Sequence, residues 1–164
     1  MENKMFDTVN NLLEKYIGGQ IFFFQLDAAV KLDEKILWEL ANSVHPNFGE
    51  CNTIASGEIA LAMHNLGVQI DLIVPGGLRF EPEKINLMPF SDRIKGNNFV
   101  FIDDSFFSGK TQMVVKEEIE RCGGQFVGSM VAYDGSKVKE KNVKSLYRYY
   151  DHYDLLGRPL KKED

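Results

Sequence analysis

The sequence predicts an α/β protein with a mostly parallel sheet flanked by helices. Short apolar runs alternate with segments of helical periodicity along most of the 164 residues, and this alternation is typical of right-handed βαβ units. Gly and Pro residues separate the segments, as expected for short connecting loops. A chain of this length usually forms one domain, so we predict a single domain.

The first quarter of the chain contains two predicted helices and one predicted strand. Apolar residues at helical spacing predict a helix over residues 5–16. An aromatic-rich run at residues 21–26 predicts a strand. A second helix is predicted over residues 33–44, with Asp33 as its N-cap because its side chain can accept a hydrogen bond from the first helical turn.

The remaining predicted elements alternate regularly. Five strands are predicted from short apolar runs, at residues 51–55, 70–74, 99–102, 126–133 and 143–149. Helices are predicted over residues 58–66 and 111–122, whereas residues 76–97 are rich in Gly, Pro, Asn and charge and are predicted to be irregular. In parallel sheets ligands bind at the carboxyl ends of the strands, so we expect the site at that edge.

Composition narrows the possible functions. The formal net charge is −5, which disfavours a broad nucleic-acid-binding surface. The sequence contains no apolar run of about 18 residues, so we expect no membrane span. The N-terminus lacks the pattern of a signal peptide, and Cys51 and Cys122 fit no zinc spacing and are expected to be buried free thiols. These features together predict a cytoplasmic protein.

The most informative segment is residues 99–111, which read Phe-Val-Phe-Ile-Asp-Asp-Ser-Phe-Phe-Ser-Gly-Lys-Thr. A predicted strand leads into Asp103 and Asp104, and a small-residue loop then opens a helix. The loop amides and the helix N-terminus can hold a phosphate, and the carboxylates can bind ribose hydroxyls or Mg²⁺. Alternatively, the acidic pair only caps the turn. A Walker A loop is excluded, because it requires a second Gly five residues before Gly109, where Asp104 stands.

This segment resembles the binding motif for 5-phosphoribosyl 1-pyrophosphate (PRPP) of type I phosphoribosyltransferases. That motif is a hydrophobic strand, two acidic residues, and a loop rich in Thr, Ser and Gly. Residues 55–57, Ala-Ser-Gly, resemble the family's pyrophosphate loop, and Arg79 and Lys84 fall where the family has its mobile catalytic loop. Residues 123–128, Gly-Gly-Gln-Phe-Val-Gly, resemble the segment that leads into the strand after the PRPP helix.

The N-terminal part is similar in layout to orotate phosphoribosyltransferases. Residues 18–44 comprise a Gly-containing turn, an aromatic strand ending in Asp27, and a helix opened by an acidic residue. The resemblance implies a type I phosphoribosyltransferase-like, Rossmann-like fold, with a small N-terminal hood at about residues 1–30, a core at about residues 31–150 and a tail at residues 151–164.

The resemblance also implies an activity and a set of site residues. The activity is Mg²⁺-dependent transfer of ribose 5-phosphate from PRPP to a nitrogenous base, such as orotate or another pyrimidine, with release of pyrophosphate. The resemblance also implies a homodimer. Asp103 and Asp104 would bind the ribose hydroxyls and contact Mg²⁺ indirectly, through ribose or water, and Arg79 and Lys84 would join them in catalysis. The residues that would bind the phosphate groups are Ala55, Ser56, Gly57, Ser105, Phe107, Ser108, Gly109, Lys110 and Thr111.

Some residues depart from the family's pattern and favour alternatives. Phe107 stands where a hydroxyl residue is common, and the segment after Arg79 lacks a Lys-x-His-Gly arrangement. A non-catalytic module that binds PRPP or a nucleotide is therefore a second hypothesis. A third is a protein whose acidic pair binds Mg²⁺ for phosphate hydrolysis, which would require further carboxylates at neighbouring strand ends, with Asp134 as the clear candidate.

Overall fold

Within the part of the chain that the structure describes, five strands form an entirely parallel sheet, which confirms the predicted α/β class. The computed structural model describes residues 10–11, 13–14 and 33–161. The strands are β1 (Asn52–Ser56), β2 (Leu72–Val74), β3 (Asn98–Phe106), β4 (Gln125–Asp134) and β5 (Val143–Arg148), and their spatial order is β2-β1-β3-β4-β5.

The helices occupy the connections between strands. Numbered from the first helix that is described throughout, they are α1 (Glu34–Phe48), α2 (Gly57–Asn65), α3 (Ser91–Ile94) and α4 (Lys110–Arg121), with 3₁₀ turns at Pro82–Lys84, Met88–Phe90 and Tyr149–Asp151. Of the predicted helix over residues 5–16, the four described residues are helical. The predicted strand at residues 21–26 and most of the predicted hood lie outside the described residues.

Helix α1 begins where the sequence predicts and ends later. The Asp33 side chain accepts hydrogen bonds from the backbone N–H groups of Lys35 and Ile36, at 2.9 and 3.1 Å, which confirms it as the N-cap. The helix continues through Pro46 to Phe48, four residues beyond the predicted end. It stops at Gly49, whose φ of +72° favours glycine.

The strand order contains one topological switch point. The chain passes from β1 outward to β2, then returns to place β3 on the other side of β1. Apolar side chains cover both faces of this sheet. One core packs Val100 and Ile102 of β3 with α1 and α2, and the other packs Phe99 and Phe101 with α4 and the 76–97 segment. Ligands bind at the carboxyl ends of the strands beside a switch point, which here lies between β1 and β3.

A bulge in β4 sets the register beside the acidic pair. Phe99 pairs with Phe126, but Val100 pairs with Gly128, so Val127 is an extra residue on β4. At Gly128, with φ of +152°, an added Cβ would lie 2.2 Å from the backbone oxygen of Asn142. Glycine is therefore required for the close approach of these two chain segments.

The predicted irregular segment contains short turns of helix that rest on a buried apolar row. Residues 76–97 include two of the 3₁₀ turns and the single turn of α3. Its buried side chains join the core on the α4 side of the sheet, and they are Leu78, Ile85, Leu87 and Ile94. Among the described residues, no helix is both long and apolar enough to cross a bilayer.

Candidate functional site

Two helices begin beside the switch point. Helix α2 follows β1 directly, with Ser56 as its N-cap, and helix α4 follows β3 after a short loop, with Gly109 as its N-cap. The Ser56 side chain makes no capping hydrogen bond, and Gly109 has no side chain that could make one. The first amide groups of both helices can thus donate to an anion, which the positive ends of the helix dipoles also attract.

Most of the predicted site residues line one cavity of about 760 Å³. It lies between the two helix N-termini, above the ends of β1 and β3. The predicted residues that line it are Ser56, Gly57, Arg79, Asp103, Asp104, Ser105, Phe107, Ser108, Gly109, Lys110 and Thr111. The predicted residues Ala55 and Lys84 do not line it, and Ala55 is fully buried in the core beneath.

The acidic pair lies within β3 and not beyond its end. The sequence predicts a strand that stops at Ile102 with both carboxylates facing solvent, and this prediction is wrong because β3 continues to Phe106, paired with β4. Asp104 is only 8% exposed, whereas Asp103 is half-buried. Adjacent strand residues usually point to opposite faces, yet both residues line the same cavity near the end of β3.

The pair is held by local hydrogen bonds. The backbone N–H of Asp104 donates to Asp103 Oδ1 at 2.8 Å. The hydroxyl of Ser105 donates to Asp104 Oδ1 at 3.3 Å. These bonds orient the carboxylates, and an ionised carboxylate has about four acceptor sites in all.

The Phe107 side chain packs against the turn after β4. Its ring centroid lies 5.5 Å from that of Tyr133, and a Cβ at Gly135 would lie 2.5 Å from its ring. Gly135 therefore makes room for a large side chain in the phosphate loop. Burial raises the pKa of the Tyr133 hydroxyl beneath, so this group stays protonated at neutral pH.

Asp134 belongs to the turn and is absent from the cavity lining. One of its carboxylate oxygens, Oδ1, accepts hydrogen bonds from the backbone N–H and the hydroxyl of Ser136, at 2.9 and 2.6 Å. The other, Oδ2, lies 3.7 Å from Nε of Arg148. The third carboxylate that phosphate hydrolysis would need is therefore engaged elsewhere.

The two predicted catalytic cations differ in position. Arg79 lines the cavity, and its guanidinium lies 4.7 Å from the ring centroid of Phe80. The ammonium of Lys84 pairs with Glu81 at 3.1 Å, and both side chains are about half exposed. With Lys110, Arg79 provides positive charge at a cavity whose predicted ligand is an anion.

Sequence reasoning missed several cavity residues. Ser129 in β4 is 1% exposed, and its hydroxyl donates to Oε1 of Gln112 in α4 at 2.5 Å. A serine inside an apolar strand is a signal that could have suggested a buried polar contact. The other missed lining residues include Glu58, Ile73, Phe80 and Phe101.

The left-handed conformation of Gly109 makes the phosphate loop sensitive to substitution. Its φ is +80°, and an added Cβ would lie 3.2 Å from the Phe106 ring. We expect Gly109→Ala to cost about 1–2 kcal/mol of loop stability and to weaken phosphate binding roughly tenfold. Isothermal titration with PRPP checks this, with Gly67→Ala as a control that has the same kind of backbone strain away from the cavity. Equal affinity in both variants would contradict it.

A doubly wound sheet with two helix N-termini and an acidic pair at its switch point is the arrangement of the type I phosphoribosyltransferase fold. The chain has this fold. It superimposes on orotate phosphoribosyltransferase from Mycobacterium tuberculosis in complex with PRPP, with a TM-score of 0.61 and 13% identity over 92% of this chain and 93% of that enzyme.

Two further solved structures share the fold. A phosphoribosyltransferase from Corynebacterium diphtheriae matches with a TM-score of 0.51 and 13% identity, over 74% of this chain and 80% of that one. The UMP synthase of Leishmania donovani matches with a TM-score of 0.52 and 16% identity, over 77% of this chain and 30% of that one. No protein-family model matches the sequence, and a search of curated proteins found no match.

Proposed function

We propose that the protein is a phosphoribosyltransferase that moves ribose 5-phosphate from PRPP to a nitrogenous base and releases pyrophosphate. The observation that carries this proposal is that two helix N-termini and the acidic pair line one cavity. PRPP has a matching shape, because its two phosphate-bearing groups flank a ribose with two free hydroxyls.

Each part of the cavity then has a role in binding. The loop of Ser108, Gly109, Lys110 and Thr111 holds the 5′-phosphate through backbone N–H groups, hydroxyls and one positive charge. The N-terminus of α2, at Ser56–Gly57, holds the pyrophosphate. Asp103 and Asp104 accept hydrogen bonds from the ribose hydroxyls and so place the ribose between the two anion sites.

The transfer breaks the bond between C1 of ribose and the pyrophosphate oxygen, and forms a bond between C1 and a nitrogen of the base. The bonding electrons leave with pyrophosphate, and the base nitrogen loses its proton. Positive charge therefore develops on the ribose beside the acidic pair, while negative charge develops at the α2 N-terminus and near Arg79. Preorganised groups of the opposite charge, at the ribose and at the pyrophosphate, lower the barrier of the transfer.

The donor set suits Mg²⁺ that arrives with the substrate. Among the described residues, no three side chains of the metal-ligating types gather into a cluster, so no all-protein cage is seen there. Mg²⁺ typically keeps several waters and binds through few carboxylates together with substrate phosphates. Asp103 and Asp104 would contact it indirectly, through the ribose or through water. When bound, Mg²⁺ would neutralise the charge of the pyrophosphate.

We extend the proposal to the base that accepts the ribose 5-phosphate, to the oligomeric state and to the cellular location. The layout of residues 18–44 resembles that of orotate phosphoribosyltransferases, which supports orotate or another pyrimidine as the base. The same resemblance supports a homodimer, and the expectation that the protein works in the cytoplasm rests on its composition.

Turnover with a panel of bases tests the proposal. The protein is incubated with PRPP, Mg²⁺ and each of orotate, uracil, hypoxanthine, guanine and adenine, and pyrophosphate release is measured. We expect release with at least one pyrimidine and none without a base. Release with a purine alone would correct the acceptor class, and no release with any base would contradict the proposed activity.

A second candidate is a PRPP-binding module without turnover. It is favoured by Phe107 in the phosphate loop and by the pairing of Lys84 with Glu81 outside the cavity. Calorimetry separates the two candidates, because a sensor binds PRPP without releasing pyrophosphate. No binding at all would contradict both.

A further inference from the structure

A buried carboxylate on α4 holds the far end of the segment that carries Arg79. Glu118 is 8% exposed, and its Oε1 accepts a hydrogen bond from the backbone N–H of Leu87 at 2.8 Å. Arg121, one turn further along α4, donates from Nε to Oε2 at 2.9 Å and from Nη2 to Oε1. These bonds hold the pKa of Glu118 below its usual value, so the carboxylate is charged at neutral pH.

The segment between Arg79 and Lys84 is attached mainly at its two ends. All six of its residues are exposed, whereas Leu78 before it and Ile85 after it are buried. Its backbone hydrogen bonds are local, since Phe80 and Glu81 donate to Gly77 and Lys84 donates to Glu81. Few buried contacts and local bonds are properties of segments that open and close at low cost in free energy.

The two ends of the segment are built differently. The first end follows Gly76 and Gly77, and a Cβ at either position would meet no atom within 4 Å. Gly77 has a φ of +75°, which also favours glycine. The second end is fixed at Leu87, which is 2% exposed and bonded to Glu118. Leu78, between these glycines and Arg79, is itself buried. The exposed residues 79–84 are therefore the part that can change conformation while Leu87 stays in place.

Helix α4 connects this fixed end to the phosphate loop. Its first residues, Lys110 and Thr111, line the cavity, and Glu118 lies two turns further along the same helix. A helix is stiff over this length, so the position of Leu87 is set relative to the phosphate-binding amides. A substrate phosphate held at the N-terminus of α4 thus lies at a defined distance from the end of the Arg79 segment.

We propose that Glu118 is a positioning residue. By binding the backbone of Leu87, it fixes the C-terminal end of the stretch that contains residues 79–84. When this segment closes over bound PRPP, the fixed end directs Arg79 to the pyrophosphate. This inference rests on the proposed function, although Glu118 itself does not line the cavity. Closure of such a segment excludes water from the reacting ribose and completes the charge stabilisation of the leaving group.

The test combines limited proteolysis with binding and turnover. Trypsin cleaves after Arg79 and Lys84, and mass spectrometry follows both cuts with and without PRPP and Mg²⁺. We expect PRPP to protect both peptide bonds, after Arg79 and after Lys84, from trypsin in the wild-type protein. In Glu118→Ala we expect no such protection. Turnover of that variant should fall roughly tenfold, while calorimetry gives a dissociation constant for PRPP within about threefold of wild type.

Matched variants separate positioning from a general loss of structure. Glu117→Gln removes an exposed charge from the neighbouring position of α4 and should behave as wild type. Glu118→Gln keeps an oxygen for Leu87 but loses the charge opposite Arg121, and we expect partial loss of protection. If Glu118→Ala does not fold by circular dichroism, Glu118→Gln gives the deciding result.

The outcomes distinguish this inference from the proposed function. Wild-type protection and turnover in both Glu118 variants would overturn the positioning role and leave the function intact. A fall in PRPP affinity equal to the fall in turnover would also overturn it, because Glu118 would then shape the binding site itself. If the wild-type protein binds no PRPP by calorimetry, the proposed function and this inference both fail.

Discussion

Replacing Asp103 and Asp104 together with asparagine should abolish PRPP binding. Each carboxylate is expected to accept hydrogen bonds from a ribose hydroxyl, and a hydrogen bond to a charged group contributes about 1.5–3 kcal/mol. Losing both corresponds to a fall in affinity of roughly 100-fold or more. The replacement also removes two negative charges from the place where positive charge develops during transfer, so turnover should fall further than binding. Calorimetry and pyrophosphate release measure the two effects.

The burial of Asp104 determines the controls for this experiment. Asp104 is enclosed and Asp103 is half-buried, so the single variants are compared with the double variant by circular dichroism and thermal unfolding. Asp92→Asn, at an exposed position outside the cavity lining, is the matched control. If the double variant unfolds, the pair has a capping role. If it folds and binds PRPP normally, the proposed ribose site is wrong.

The substitution Gly128→Ala should cause a large loss of stability. An added Cβ would lie 2.2 Å from the backbone oxygen of Asn142 and 2.7 Å from the Phe48 ring. The ring can move, but the backbone oxygen accepts the amide of Ser129 at 2.9 Å and is fixed by that bond. Overpacking together with backbone strain should lower the free energy of unfolding by about 3 kcal/mol or more.

Thermal unfolding measures this loss. A destabilisation of that size corresponds to a fall of roughly 10 °C in the melting temperature of a domain of this length. Gly67→Ala is the control, because Gly67 also has a positive φ, of +81°, but its added Cβ would meet no atom within 4 Å. We expect only the cost of the left-handed conformation there, about 1–2 kcal/mol. Equal losses in the two variants would show that the contact with Asn142 is unimportant.

The elements with the strongest local signals were predicted correctly. The N-cap at Asp33 and the alternation of strands and helices from residue 51 onward both reflect interactions between residues close in sequence. The end of β3 was predicted wrongly, because Asp103 and Asp104 have low intrinsic strand propensity. Pairing with β4 overrides that propensity and extends the strand to Phe106.

The structure brings most of the residues predicted for the site, but not all of them, into one cavity. Residues of the 99–111 segment share the cavity because they are consecutive and lie at a strand-to-helix junction. Lys84, in contrast, was assigned from its distance along the chain, and the 3₁₀ turn at Pro82–Lys84 places its ammonium on Glu81. Gln112 and Ser129 come together only when α4 packs on β4, so the position of Ser129 within an apolar strand suggests a buried polar contact but does not identify Gln112 as its partner.

The sequence by itself determined the α/β class and the segment that supplies the acidic pair and the loop before α4. Hydrophobic periodicity and the residue types of a loop are local properties, which is why they can be read from the sequence. Only the tertiary structure decided how these parts meet. The strand order placed the ends of β1 and β3 side by side, with a helix N-terminus at each. The bulge before Gly128 set which residues of β4 lie beside Asp103. Both depend on contacts between residues far apart in the chain, where burial and pairing outweigh local preference.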